Sequence, residues 1–271
     1  MKEYLRLFRL GNGAIGIVGV VIGAVIAVDA DIVDYLFEVL VGCAVVVASI
    51  AGGNSLNDYV DREIDKAGHP DRPLPKGEIE PATALCLGIV CLAVAIAVSS
   101  LLQSVQVTGM VIAAVALMVA YEALLKQRGF VGNIVVAALT GMVFLFGGSI
   151  VGDVWSVAVM GAMSALVNVG REIAKDIEDM GSDEGRQTLP MALGARNAAA
   201  VGAVFFIAGP ALSVWPLVDH TFGPLYCLVF VADAIFIYTA FIIFRNAHKA
   251  QKLAKIAMLV ALAAFVLGVV L

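Results

Sequence analysis

The chain has 271 residues, of which 61% are hydrophobic and 14% charged, with a formal net charge of −5 and a mean hydropathy of +0.98. A soluble domain carries about 25% charged residues, so the composition excludes one and describes an all-α integral membrane protein, with no nucleic-acid partner expected. The four cysteines (Cys43, Cys86, Cys91, Cys227) lie in apolar runs without metal-ligand spacing, which leaves packing as their role.

Met1 to Arg9 is basic, but the apolar run from Gly11 to Val28 has no cleavage site before Asp29, so it reads as a first transmembrane helix. A hydrocarbon core about 30 Å thick takes about 20 apolar residues per helix. On that ruler the chain holds nine spans: 11–28, 36–57, 81–102, 105–125, 130–150, 154–176, 196–217, 222–244 and 252–271. Glycines recur in the first (Gly11, Gly13, Gly16, Gly19, Gly23) and fifth (Gly141, Gly147, Gly148), as close helix packing requires. Trp155 and Trp215 fall near one boundary, where interfacial anchors sit.

Charge placement tests the count. All 17 Lys and Arg lie at the N-terminus or in and around alternate connections. They are Lys2, Arg6 and Arg9; Arg62, Lys66, Arg72 and Lys76; Lys126 and Arg128; Arg171, Lys175, Arg186 and Arg196; and Arg245, Lys249, Lys252 and Lys255. The opposite connections carry Asp29, Asp31, Asp34, Asp153, Asp219 and His220, and no Lys or Arg. The positive-inside rule then makes the N-terminus cytoplasmic and the C-terminus external, which needs an odd number of spans. The two longest connections, 58–80 and 175–195, share the cytoplasmic side and are expected to form a polar cap.

The second span ends in Asn54 to Asp65, reading N-S-L-N-D-Y-V-D-R-E-I-D. If the helix continues through it, Asp58, Asp61 and Asp65 at i, i+3 and i+7 share one face, with Asn54 one turn earlier. Asp176, Asp179 and Asp183 repeat that spacing 118 residues later, at the end of the sixth span, and hint at an internal duplication. Two unit charges about 4 Å apart repel by about 4 kcal/mol at an effective dielectric near 20. Facing acid clusters of this kind call for divalent metal, and such a pair of sites suits a diphosphate.

Four segments, in order, resemble the UbiA superfamily of intramembrane prenyltransferases. Asn57-Asp58-Tyr59-Val60-Asp61-Arg62-Glu63-Ile64-Asp65 matches its N-D-x-x-D-x-x-x-D signature, and Asp71-Arg72-Pro73-Leu74-Pro75-Lys76-Gly77 its R-P-L-P-x-G loop. Tyr121 to Lys126 is similar to its Y-x-x-x-L-K segment, and Asp179-Met180-Gly181-Ser182-Asp183 to its second D-x-x-x-D motif. The chain departs at Gly68-His69, where an asparagine-rich turn is usual. The resemblance implies a helical bundle around a central cavity, Mg2+ between the two motifs, and transfer of an isoprenoid chain from its diphosphate to an acceptor, in the company of membrane lipids. Mg2+ takes oxygen ligands and bridges carboxylates to phosphates.

Carried over position by position, Asn57, Asp61, Asp179 and Asp183 would be metal ligands. Asp58, Asp65 and Asp176 would be supporting acids at the catalytic centre, and Arg72, Tyr121 and Lys126 would contact the diphosphate. Arg171-Glu172-Ile173-Ala174-Lys175-Asp176-Ile177-Glu178-Asp179 resembles the R-E-x-x-K-D-I-E-D segment of the superfamily's archaeal digeranylgeranylglyceryl phosphate synthases. That resemblance implies a geranylgeranyl donor and geranylgeranylglyceryl phosphate as the lipid-phosphate acceptor, with Arg171 and Lys175 suited to its phosphomonoester. Arg9 and Asn12 fit the family's R-x-x-N at the entry of the first helix, where a membrane anchor and a helix cap are the competing roles.

For Glu63, Glu78, Glu80 and Glu184 a solvated surface pair is the expectation. Asp233 lies within the eighth span, where an acid is either functional or internally hydrogen-bonded. His69, His220 and His248 have no metal or triad spacing. An aromatic acceptor such as 4-hydroxybenzoate is the alternative within the superfamily. A cation-coupled transporter is the alternative outside it, but such ion sites lie near the bilayer midplane rather than at helix ends.

Overall fold

The computed structural model describes residues 2–126, 128–181, 187–219 and 221–270. Asp183, Glu184, Arg186 and His220 lie outside them. The described residues are helical, with no strand. Their nine long helices are α1 (Leu10–Val28), α2 (Leu36–Asp61), α3 (Pro81–Ser99), α4 (Val105–Ala120), α5 (Phe130–Ile150), α6 (Ala158–Asp179), α7 (Ala195–Leu212), α8 (Val229–Ile242) and α9 (Ala247–Val270). Within lipid every backbone group must be satisfied inside the segment, which leaves the helix as the available form for these apolar runs.

Eight of the nine lie in segments long and apolar enough to cross a bilayer. The exception is α6, whose last three turns carry Arg171, Glu172, Lys175, Asp176, Glu178 and Asp179. The same charges that remove it from the apolar count give it a polar end. Ends are set locally: Pro81 opens α3 at a position that needs no backbone donor, and Ser104 caps α4 through the Val107 N–H at 3.3 Å.

The packing divides the bundle into two sets of four. Helices α2 to α5 contact in succession and close through α2 against α5; α6 to α9 do the same and close through α6 against α9. Helix α1 touches α2, α5 and α9, and α5 packs on α6. Each set thus begins with a helix that ends in an aspartate motif, an architectural counterpart of the repeated spacing. Glycine makes the central crossings possible. A Cβ on Gly147 would sit 2.3 Å from the Val20 carbonyl, and one on Gly23 2.4 Å from the Phe144 carbonyl. On the polar side Leu7, Leu74, Ile79 and Ala84 pack together, so the 62–80 connection has a small core of its own.

The space inside the bundle has two adjoining parts. The first, about 340 Å3, lies among α1, α2, α4 and α5; the second, about 460 Å3, lies among α1 and α5 to α9. Asn12, Ile15, Thr140, Phe144 and Leu262 border both.

Candidate active site

The first aspartate motif departs from a single helical face. Helix α2 ends at Asp61, residues 62–64 turn, and Asp65 opens a four-residue helix, Asp65–Gly68. The reason lies in the partners. Asp58 is 2% exposed and takes an ion pair from Arg9. Asp65 is buried and pairs with Arg72, whose Nη1 also lies 3.6 Å from Asp58. The turn folds Asp65 back so that one guanidinium serves two acids, and their repulsion is answered by cations of the chain.

Asp61 faces a different set. The Asn57 side-chain N–H donates to Asp61 Oδ2 at 3.2 Å and to Glu122 Oε1 at 3.0 Å, while Arg9 donates to Asn57 Oδ1 at 3.2 Å. Carboxylates accept only and guanidinium donates only, so these contacts fix the orientation of the Asn57 amide. Lys126 Nζ lies 2.5 Å from Asp61 and 3.1 Å from Glu122 and bridges the two acids. Asn54 donates to the Phe8 carbonyl at 3.0 Å, next to Arg9, whose left-handed φ of 50° turns the chain into α1. That contact ties the chain entry, and with it Arg9, to α2.

Glu122 was not among the residues the sequence singled out. The signal available was the spacing of its neighbours. Tyr121 to Leu125 forms a π turn, with the Lys126 N–H reaching the Tyr121 carbonyl at 2.9 Å. On an α-helix, positions five apart point about 140° from each other. One i→i+5 turn brings Tyr121 and Lys126 toward one face, and π turns concentrate at functional sites.

At the second motif, Asp176 Oδ2 accepts from Asn133 at 2.8 Å, a buried amide near the start of α5. Arg171 donates to Asn168 Oδ1 at 2.9 Å and pairs with Glu172; Asn168 in turn donates to the Thr140 hydroxyl at 3.0 Å. Glu178 is held by His248 at 2.5 Å and Gln251 at 3.0 Å, which pins the start of α9 to the end of α6. Asp179 is the last residue of α6, and Asp183 lies outside the described residues. Lys175 is about half exposed, 4.0 Å from Glu172, and borders neither cavity.

The first cavity continues into a polar mouth bordered by Asn12, Asn54, Asn57, Tyr121 and Glu122. Among the described residues no three His, Cys, Asp or Glu side chains gather as a metal site. Asn57 and Asp61 of the first motif, with Glu122 beside them, offer instead an amide and two carboxylates, whose hard oxygens fit Mg2+. Arg9 and Lys126 stand beside them, and Arg72 stands beside Asp58 and Asp65.

Outside the spans, Lys66 lies 2.6 Å from Glu63 and Lys76 3.0 Å from Asp71. Hydrogen bonding and charge from these lysines hold both carboxyls below their ordinary values. Both acids are surface pairs, as expected for Glu63. Glu78 likewise pairs with Arg6 at 2.8 Å. Asp233, in α8, accepts from the Ser213 hydroxyl at 2.6 Å and borders the second cavity, so its internal hydrogen bond is real and its place is in a cavity wall.

The comparisons agree along the whole chain. Residues 17–268 match the model of the UbiA prenyltransferase family. The digeranylgeranylglyceryl phosphate synthase of Thermococcus gammatolerans is 37% identical over 281 residues, covering 99% of this chain and 98% of that protein. A solved structure of a digeranylgeranylglyceryl phosphate synthase superposes with a TM-score of 0.82 at 31% identity, over 99% of this chain and 98% of the other. A UbiA homolog from Archaeoglobus fulgidus, bound to GPP and Mg2+, shares the fold at a TM-score of 0.66 and 13% identity, over 99% of this chain and all of that one. The chain is an integral membrane prenyltransferase and belongs to the UbiA family.

Proposed function

We propose that the protein transfers a geranylgeranyl group from geranylgeranyl diphosphate to the free hydroxyl of geranylgeranylglyceryl phosphate, forming the second ether bond of an archaeal-type membrane lipid. The observation that carries this is the join between an apolar cavity, without a charged wall residue among the described residues, and a polar mouth lined by Asn57, Tyr121 and Glu122, with Arg9 on Asn57 and Lys126 on Glu122. Full-length identity to synthases of that name supports the acceptor.

The diphosphate would lie at the mouth with the prenyl tail in the first cavity, where each buried CH₂ contributes about 0.8 kcal/mol. Mg2+, held by Asn57, Asp61, Asp179 and Asp183, would neutralise the charge that develops on the departing diphosphate. Lys126, Tyr121, Arg72 and Arg9 would meet diphosphate oxygens, with Asp58 and Asp65 fixing Arg9 and Arg72 in place. The C1–O bond to diphosphate breaks with its electron pair on the diphosphate, the acceptor hydroxyl oxygen bonds C1, and the hydroxyl proton passes to the departing diphosphate or solvent. The charge asymmetry of the connections supports a cytoplasmic mouth and N-terminus at the cell membrane.

The test is a panel of acceptors offered with geranylgeranyl diphosphate and Mg2+ to the purified protein. Turnover of geranylgeranylglyceryl phosphate, lost on adding EDTA, is expected. Turnover of an aromatic acceptor alone would overturn the assignment.

A further inference from the structure

The second cavity contains a pairing that the motifs do not predict. Arg171 of α6 and Lys255 of α9 border the same space, in a wall otherwise built mainly from apolar residues such as Met163, Phe236 and Phe265. Their depth follows from the His248–Glu178 contact, which pins the antiparallel α6 and α9 at one end. Arg171 lies seven residues before Glu178, and Lys255 seven residues after His248. At 1.5 Å per residue both sit about 10 Å along the bundle from that pin. Two helical turns also return each residue to its partner's face. Arg171 shares the face that Glu178 turns toward α9, and Lys255 shares the face that His248 turns toward α6.

The charges are not balanced where they stand. Arg171 has Glu172, but no carboxylate of the described residues pairs with Lys255. Asp233 borders the same cavity, and its recorded partner is the Ser213 hydroxyl. Two cations at one depth beside an apolar chamber create a strong site for an anion attached to an apolar chain. The Arg171 guanidinium is oriented for this by Asn168, itself held by Thr140 at the boundary of the two cavities.

Building on the proposed function, we infer that Lys255 and Arg171 together form the clamp for the acceptor's phosphomonoester, and that the second cavity is the acceptor's chamber. Lys255 is then a specificity-determining residue, and Lys175, which borders neither cavity, is not part of the clamp.

The test compares wild type, Lys255→Ala and Lys255→Arg with geranylgeranylglyceryl phosphate and with its dephosphorylated counterpart in saturating Mg2+, varying the acceptor at saturating donor and the donor at saturating acceptor. A charge-assisted hydrogen bond changes affinity by about 10- to 100-fold. Lys255→Ala should raise the KM for the phosphorylated acceptor by that factor, leave the donor KM within about twofold, and reduce the preference for the phosphorylated over the dephosphorylated acceptor. Lys255→Arg should restore most of that preference. An unchanged acceptor KM, or equal loss with both acceptors, would overturn the clamp. Failure of the underlying reading looks different, because wild-type protein itself would then not use geranylgeranylglyceryl phosphate.

Discussion

Replacing Glu122 by alanine isolates what this carboxylate does for Asn57. The Asn57 amide donates to Asp61 at 3.2 Å and to Glu122 at 3.0 Å. Truncation deletes one charge-assisted hydrogen bond, which contributes about 1.5–3 kcal/mol. The orientation of the amide decides whether its oxygen or its N–H faces a bound cation. The energy is therefore lost from cation binding, a weakening of about 10- to 150-fold. Stability should move little without metal, since Glu122 and Asp61 are like charges that share Lys126. The assay is Mg2+-dependent binding of a non-reactive prenyl diphosphate analogue to the purified protein, alongside thermal unfolding without metal. Glu122→Gln keeps an acceptor oxygen for Asn57 and should recover most of the Mg2+ affinity. Wild-type Mg2+ dependence in Glu122→Ala, or a glutamine variant no better than alanine, would refute the orienting role.

Asp61→Ala or Asp179→Ala should abolish turnover in a folded protein; substantial Mg2+-dependent activity in either would rule out the two-motif site. Arg72→Ala strips buried Asp65 of its recorded cation and should cost about 2–4 kcal/mol, slightly under the range for a fully buried pair because Arg72 is 27% exposed. Adding Asp65→Asn to that variant should return much of the lost thermal stability, and no recovery would show that the pair is not the cause. Lys126→Ala leaves Asp61 and Glu122 without their shared cation, so Mg2+ should raise its melting temperature more than that of wild type. Gly147→Val would put a Cβ 2.3 Å from a backbone carbonyl that cannot rotate away, and should cost about 3 kcal/mol or more in unfolding experiments.

Hydropathy and charge alternation were enough to read nine helices in this chain, because lipid allows few alternatives to a satisfied backbone. The same rule does not act at the helix ends, and there the reading was incomplete. An unbroken helical wheel places Asp58, Asp61 and Asp65 together, whereas the chain turns at residues 62–64 and the acids divide between two sets of partners, Arg9 and Arg72 for Asp58 and Asp65, and Lys126 for Asp61. Arg72 was legible as part of a motif; its dual grip on Asp58 and Asp65 was not, because that needs the path of the loop. Glu122 was hidden because helical periodicity assumes 3.6 residues per turn, and the π turn over Tyr121–Leu125 breaks that assumption. Lys255 counted only toward membrane orientation, since its relation to Arg171 depends on how α9 is pinned to α6.

The division of the interior follows from where charge is tolerated. A prenyl diphosphate and a prenylglycerol phosphate are both long apolar chains with an anionic head, so their tails alone give a bundle no means of sorting them. Among the described residues the first cavity has no charged wall residue, and Asn57 and Glu122 lie beyond it at the mouth. It can hold a tail whose head remains at a metal-type site. The second carries Arg171 and Lys255 in its wall, which stabilises an anion within the bundle and raises the cost of leaving the chamber filled by a neutral chain. The reacting carbon is bonded to the diphosphate, and the attacking hydroxyl is one carbon from the phosphate ester, so the two heads must come close to each other. Among the described residues, Asn12 alone borders the mouth and both cavities. On the proposed reaction the helices would separate the tails and bring the heads together, and the charge in the second wall, more than the volume of either cavity, would set which acceptor is used.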